Sequence, residues 1–273
     1  MRSSIYLALL LMAGLAFTAC ETEEYHARGA VPQEVKDQLR DLGFNPDGIV
    51  EVENGYIIER DILITPEYLE SEVTRRRVPG MEQYATDNLV TTSGSRTIRL
   101  YLNTSGFRSF PSSYGTALNR AIAAYNGEDL ELDFQRVNTA STADIRFRRL
   151  SFLEEFFGIL GSAGFPTAAG DPFDEISLSG RLGRSFSIDG IATVMAHEMG
   201  HCIGFRHTDY FDRSISCGGT PTDEGDAGVG ANYIPGTPQG ADLDGNGSWM
   251  LSCTDGTPRP FTTGDKTALD FLY

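Results

Sequence analysis

Residues 197–207 read His-Glu-Met-Gly-His-Cys-Ile-Gly-Phe-Arg-His, and no other stretch limits the fold so tightly. His197 and His201 are four apart, so on a helix they share one face, one turn apart. Two neutral imidazoles so placed can grip one zinc ion. Glu198 follows the first ligand, where its carboxylate can hold a zinc-bound water and take its proton. Gly204 lets the chain leave the helix through a backbone conformation that costs other residues more. His207 then comes back as the third ligand, and the fourth position stays open for water. An open position separates a catalytic zinc site from a closed structural one. A bare H-E-x-x-H arises by chance. The longer pattern fixes five identities in order and uses three of the four histidines in the chain, so a catalytic metal site is expected here.

The length of 273 residues suits one large domain or two small ones. The formal charge of −16 argues against nucleic acid or a directly bound anionic membrane surface. The first twenty residues have the layout of an export signal: Arg2 in the n-region, then an apolar run over 5–17 too short to span a bilayer well. Thr18-Ala19-Cys20 ends the segment in the manner of a bacterial lipoprotein signal, with Phe17 where a leucine is usual. Cys20 would carry the acyl chains that anchor the protein to a lipid bilayer, at the outer membrane or cell surface. The rival reading is plain secretion with cleavage near Ala19. Of the remaining cysteines, Cys217 and Cys253 bracket the long loop after the zinc helix and are the preferred disulfide, with Cys202–Cys217 as rival.

Periodicity gives three parts: the signal over 1–20, an N-terminal segment over 21–95 and a catalytic domain over 96–273. In the second part, 31–42 has apolar residues at helical spacing, and 49–65 reads as one hairpin about Glu53-Asn54-Gly55. Residues 71–95 read as a linker. In the third part, strands are expected over 97–103, 130–137, 143–150 and 175–179, and helices over 114–126, 188–202 and 262–273. Residues 162–170 and 208–248 read as loops. The order gives an α/β domain with a mixed sheet.

With these residues in view, the chain resembles the metzincin zinc endopeptidases, and within them the HEIGH family of bacterial metallopeptidases, over roughly residues 96–273. Ser248-Trp249-Met250, 43 residues after His207, fits the clan's methionine turn. The resemblance implies a mixed, mostly parallel sheet, a long zinc helix and Met250 as a packing residue beneath the metal. It also implies peptide-bond hydrolysis by a zinc-activated water, with Glu198 as general base. A polypeptide substrate would add as a strand to an edge near 175–179, and residues just past Met250 would shape the pocket for the side chain after the scissile bond. Thr208 and Asp209 after the third histidine argue against the astacin, matrixin and adamalysin groups. Ser252 stands where astacins place a tyrosine ligand.

Two further motifs have competing readings. Ile58-Glu59-Arg60-Asp61 is loosely similar to the aspartate switch of astacin prosegments, in which a carboxylate takes the zinc's open corner, and Arg75–Arg77 would be a convenient cleavage site. The rival is a turn aspartate. Asp242, Asp244 and Asn246 open like a calcium loop but lack its acidic twelfth position, Cys253 here; the rival is an Asx-rich turn. For the chain as a whole, the leading function is an exported zinc endopeptidase. The alternative is a surface binding or adhesion protein with a vestigial site, for which Glu198 would be unnecessary.

Overall fold

Alternation of buried and exposed side chains, and the helical repeat where it takes over, fixes most elements of the computed structural model, which describes residues 31–42, 44–70, 83–106, 108–156, 158–225, 229–238 and 240–273. In chain order they are α1 (Gln33–Asp41), β1 (Val50–Val52), β2 (Gly55–Ile58), β3 (Ile62–Ile64), α2 (Pro66–Glu70), β4 (Tyr84–Ala85) and β5 (Arg96–Leu102). Then come α3 (Ser112–Asn126), β6 (Leu132–Val137), β7 (Ile145–Arg149), α4 (Phe152–Phe156), β8 (Gly161–Ala163) and β9 (Glu175–Leu178). The chain closes with α5 (Ile188–Cys202), α6 (Ser214–Cys217), β10 (Asn232–Tyr233) and α7 (Thr263–Leu272). The signal-like segment with Cys20 and the basic run 75–77 lie outside the described residues. Among the described residues no helix is long and apolar enough to cross a membrane.

Eight strands form one mixed sheet in the order β1-β2-β3-β8-β9-β7-β5-β6. The β9-β7-β5-β6 half is parallel throughout, while β8 runs antiparallel to β9. In β5, Ile98, Leu100 and Leu102 are buried at the two-residue period of a strand. Tyr114, Leu118, Ala121 and Tyr125 line the inner face of α3. That face packs on α5, with the Tyr125 hydroxyl donating to Ala196 O at 2.8 Å. Every residue from Gly190 to Cys202 is buried, so α5 runs through the interior. A separate small core joins α1 to the hairpin strands through Leu39, Phe44, Ile58, Ile62 and Ile64.

Three sequence expectations change. First, the strand at 175–178 is not an edge: β7 covers one side and β8 the other. Gly161-Ser162-Ala163 forms β8 where a loop was expected, because small residues buried together leave no apolar alternation to read. Second, the apolar run 56–64 is two strands, not one. Glu59 and Arg60, at φ 53° and 80°, turn the chain back between β2 and β3. Third, the linker expected over 71–95 holds β4, which pairs with β10 and touches Phe205. Cys217 and Cys253 form the disulfide, and Cys202 is a buried free thiol, so the rival pairing falls.

Candidate active site

The metal helix begins cleanly: the Ser187 side chain accepts from Gly190 N at 3.1 Å and caps α5. At its other end Gly204 has φ 107°, and Gly204 N and Phe205 N donate to His201 O and Gly200 O at 2.9 Å each. A β-carbon at Gly204 would also press on Leu89 and Thr86. The exit therefore depends on glycine, as the sequence requires. It turns the chain so that His207 faces back toward the helix.

The three imidazoles meet. Their ring centroids are 4.7 Å (197–201), 4.9 Å (201–207) and 5.2 Å (197–207) apart. Each Nδ1 is held by a different part of the chain: His197 by Trp249 O at 2.8 Å, His201 by Phe205 O at 2.8 Å and His207 by Glu224 Oε1 at 2.7 Å. With Nδ1 donating, each ring in its neutral form turns its Nε2 lone pair toward the other two, which is the tautomer a metal ligand needs.

Asp61 joins them. Its Oδ2 lies 3.2 Å from His207 Nε2 and 3.6 Å from His197 Nε2. One ligating atom from each of Asp61, His197, His201 and His207 falls within 4.8 Å of the others, and all four residues are buried. Asp61 Oδ1, Glu198 Oε2 and His207 Nε2 are buried without a well-formed hydrogen bond. Buried polar atoms are rarely left so, and a divalent cation would satisfy this nitrogen and oxygen set. The donor set suits zinc.

The charges act on one another. Burial, then the charge of Asp61, push the Glu198 carboxyl well above the usual range. Burial would raise Asp61 too, but His207 and His197 outweigh it and hold that carboxyl well below. Burial and the neighbouring His197 and His207 depress His201. Burial would likewise depress His207, yet Asp61 and Glu224 outweigh it and raise it.

The methionine turn packs under the helix. Met250 is fully buried, and a β-carbon at Gly200 would sit 2.6 Å from its sulfur. This explains a glycine in mid-helix despite a propensity penalty of about 1 kcal/mol. The turn is pinned by Asp265, which accepts from Ser248 Oγ at 2.6 Å, Trp249 N at 3.3 Å, Gln83 Nε2 at 2.6 Å and Thr262 N at 2.9 Å. Beside His197 and Glu198 opens a cavity of about 110 Å³, whose walls include Leu160, Gly161, Thr193 and Val194. Leu251 to Thr254, just past Met250, form another wall, and Arg60 and Asp61 border it as well.

The acidic turn singled out in the sequence lies outside that cavity. Asp242 Oδ1 accepts Asp244 N at 3.1 Å, and its Oδ2 accepts the Thr262 hydroxyl. The Asn246 amide donates to Pro258 O at 2.8 Å. These bonds close the turn at Asp242 and tie it to the segment 258–262. Ser252 holds the loop instead of the metal, with its hydroxyl 2.8 Å from Asp209 Oδ1 and 3.1 Å from Glu224 Oε1. Sequence reasoning missed Glu224, Arg213 and Asp265. Only Asp265 left a signal, the Thr-x-x-Asp capping pattern at 262–265.

No curated protein matches the chain. The description of one protein family, Dual-action HEIGH metallo-peptidase, matches residues 56–273, which hold the whole histidine cluster together with Asp61. With four fifths of its length matched and the metal-binding imidazoles assembled, this chain belongs to the dual-action HEIGH metallopeptidase family.

Proposed function

We propose that the protein is an exported zinc endopeptidase held latent by its own N-terminal hairpin, with Asp61 in the place that substrate and water would take. Membership of a metallopeptidase family carries the peptidase activity. His197, His201 and His207 would hold the zinc, and Asp61 would complete its ligand set in the latent form. When bound, zinc supplies a Lewis acid that polarises a carbonyl and acidifies water. Glu198, at the wall of the cavity, would take the proton and pass it to the leaving amine. The export signal and a lipidated Cys20 belong to the same reading.

The single observation behind latency is where Asp61 lies and what holds it there. Its carbonyl accepts Ala163 N of β8 at 3.0 Å, and Ile62 of β3 pairs with Ala163 in parallel. β8 walls the cavity at Gly161. β3 thus lies along the strand to which an extended substrate would add by backbone hydrogen bonds. The turn before Asp61 is strained: Glu59 and Arg60 both adopt positive φ, at about 1–3 kcal/mol each. Such strain persists where the surroundings impose it. The vestigial-site alternative gains no support from Glu198, whose carboxylate is buried, lines the cavity and has an oxygen without a hydrogen bond.

The test is a peptide-library digest by the intact chain, its Asp61→Ala variant and its Glu198→Ala variant, with zinc analysis of each. Asp61→Ala is expected to raise hydrolysis by the uncleaved chain at least about tenfold. Glu198→Ala is expected to keep zinc and lose about 10²–10⁴ in rate. Equal activity of wild type and Asp61→Ala would remove latency. A zinc-free, inert wild type that stays inert after Asp61→Ala would remove the enzyme.

A further inference from the structure

The loop after α5 carries a buried carboxylate that takes no part in the chemistry above. Glu224 is fully buried. Its Oε1 lies 2.7 Å from His207 Nδ1, 3.1 Å from Arg213 Nη1 and 3.1 Å from Ser252 Oγ. Its Oε2 lies 3.6 Å from Arg206 Nη2. The backbone is shaped to deliver it: Glu224 N donates to Tyr210 O at 2.7 Å, and Arg213 N donates to Thr222 O at 2.9 Å. The Cys217–Cys253 disulfide ties this loop to the residue next to Ser252.

The three ligands are therefore not backed alike. His197 and His201 lean on main-chain carbonyls, Trp249 O and Phe205 O. These come free with the methionine turn and the helix exit. A carbonyl fixes the tautomer but brings no net charge. A carboxylate does both, and it makes the imidazole a stronger electron donor to a metal. His207 also lies outside α5, so no helix backbone fixes its ring. Arg213 and Arg206 offset the buried charge as ion pairs, while His207 and Ser252 supply the hydrogen bonds to the carboxylate.

We propose that Glu224 is the positioning residue of the third ligand, fixing the His207 proton on Nδ1 so that Nε2 faces the metal, and adding a charge that tightens metal binding. The proposal rests on the zinc reading of the site. It predicts that the affinity for zinc depends on a residue that touches neither metal nor substrate.

The test measures zinc dissociation constants of the full chain by competition with a chelator, beside the melting temperature of each metal-free protein. Glu224→Gln keeps the shape and loses the charge. Glu224→Asp keeps the charge and withdraws it from Nδ1. Each is expected to weaken zinc binding about 10–100-fold, whatever happens to the metal-free melting temperature. Variants that melt lower yet bind zinc within about twofold of wild type would reduce Glu224 to a folding residue and overturn the proposal. Should neither variant fold, nitrogen-15 spectra of the zinc-loaded wild type decide. A His207 proton on Nδ1 with zinc on Nε2 supports the assignment, and the reverse tautomer overturns it. A wild type that binds no zinc at all sinks the reading of the site itself, a different outcome from wild type and variants binding equally.

Discussion

The metal helix and the β2–β3 turn reach the same point from distant parts of the chain, and they are built in opposite ways. α5 is capped by Ser187, buried from Gly190 onward and ends through a glycine that accepts positive φ without strain. The turn at Glu59-Arg60 holds two non-glycine residues at positive φ, and it presents the Asp61 carboxylate just ahead of a three-residue strand with a single pairing to β8. Three imidazoles thus sit on unstrained structure and the Asp61 carboxylate next to strained structure, as the latency proposed above would require. Permanent parts of a site gain from rigidity, whereas a part that must leave gains from a conformation that relaxes on leaving.

The contrast can be broken from either side. The largest expected effect is on the support of the helix. Asp265→Ala strands four donors beneath the methionine turn and should cost roughly 3 kcal/mol or more, read by denaturant unfolding. Burial raises the Asp265 carboxyl from 3.8 to about 6. A raised carboxyl favours the folded state below its unfolded value, and that contribution is lost as pH rises through about 6. The stability advantage of wild type over Asp265→Asn should therefore shrink between about pH 4 and 6 and be flat above. No such trend would mean that the group ionises normally.

A smaller effect of opposite sign is expected at the turn. Arg60→Gly relieves one left-handed residue and should stabilise the intact chain by about 1 kcal/mol, a rise of about 2–4 °C in Tm, while lowering its residual activity. A lower Tm would show that the Arg60 contact to Cys253 matters more than the backbone. The smallest effect is expected from calcium. Because Asp242 and Asn246 are already engaged within the chain, adding it should leave Tm unchanged. A clear rise would instead reveal a bound ion.

The helix of the histidine motif was legible because its information is local: three imidazoles, a carboxylate and a glycine exit lie within eleven residues, and helical spacing converts their order into geometry. The parallel strands β5, β6 and β7 were legible through buried residues at period two, and α3 through its apolar face. β8 was not, since Gly161, Ser162 and Ala163 are small and show no alternation, and Gly161 is required by Glu198, a contact 37 positions away. The turn at Glu59 was hidden inside an apolar run, as nothing in those residue types favours positive φ. Glu224 sits in a stretch without periodicity, and its partner His207 is 17 positions back.

By itself, then, the order of residues determined that a helix carries two imidazoles on one face with a carboxylate beside them, and that the chain must turn to bring a third. Only the tertiary structure decided what stands around that trio: of the two readings the sequence left for Asp61 it put the carboxylate opposite the imidazoles, and it brought that of Glu224 behind His207 and the short strand along the cavity. Ligand spacing on a helix is fixed by the backbone repeat within one turn. Partners that meet across tens or hundreds of residues are fixed by packing and burial of charge, which no local pattern encodes.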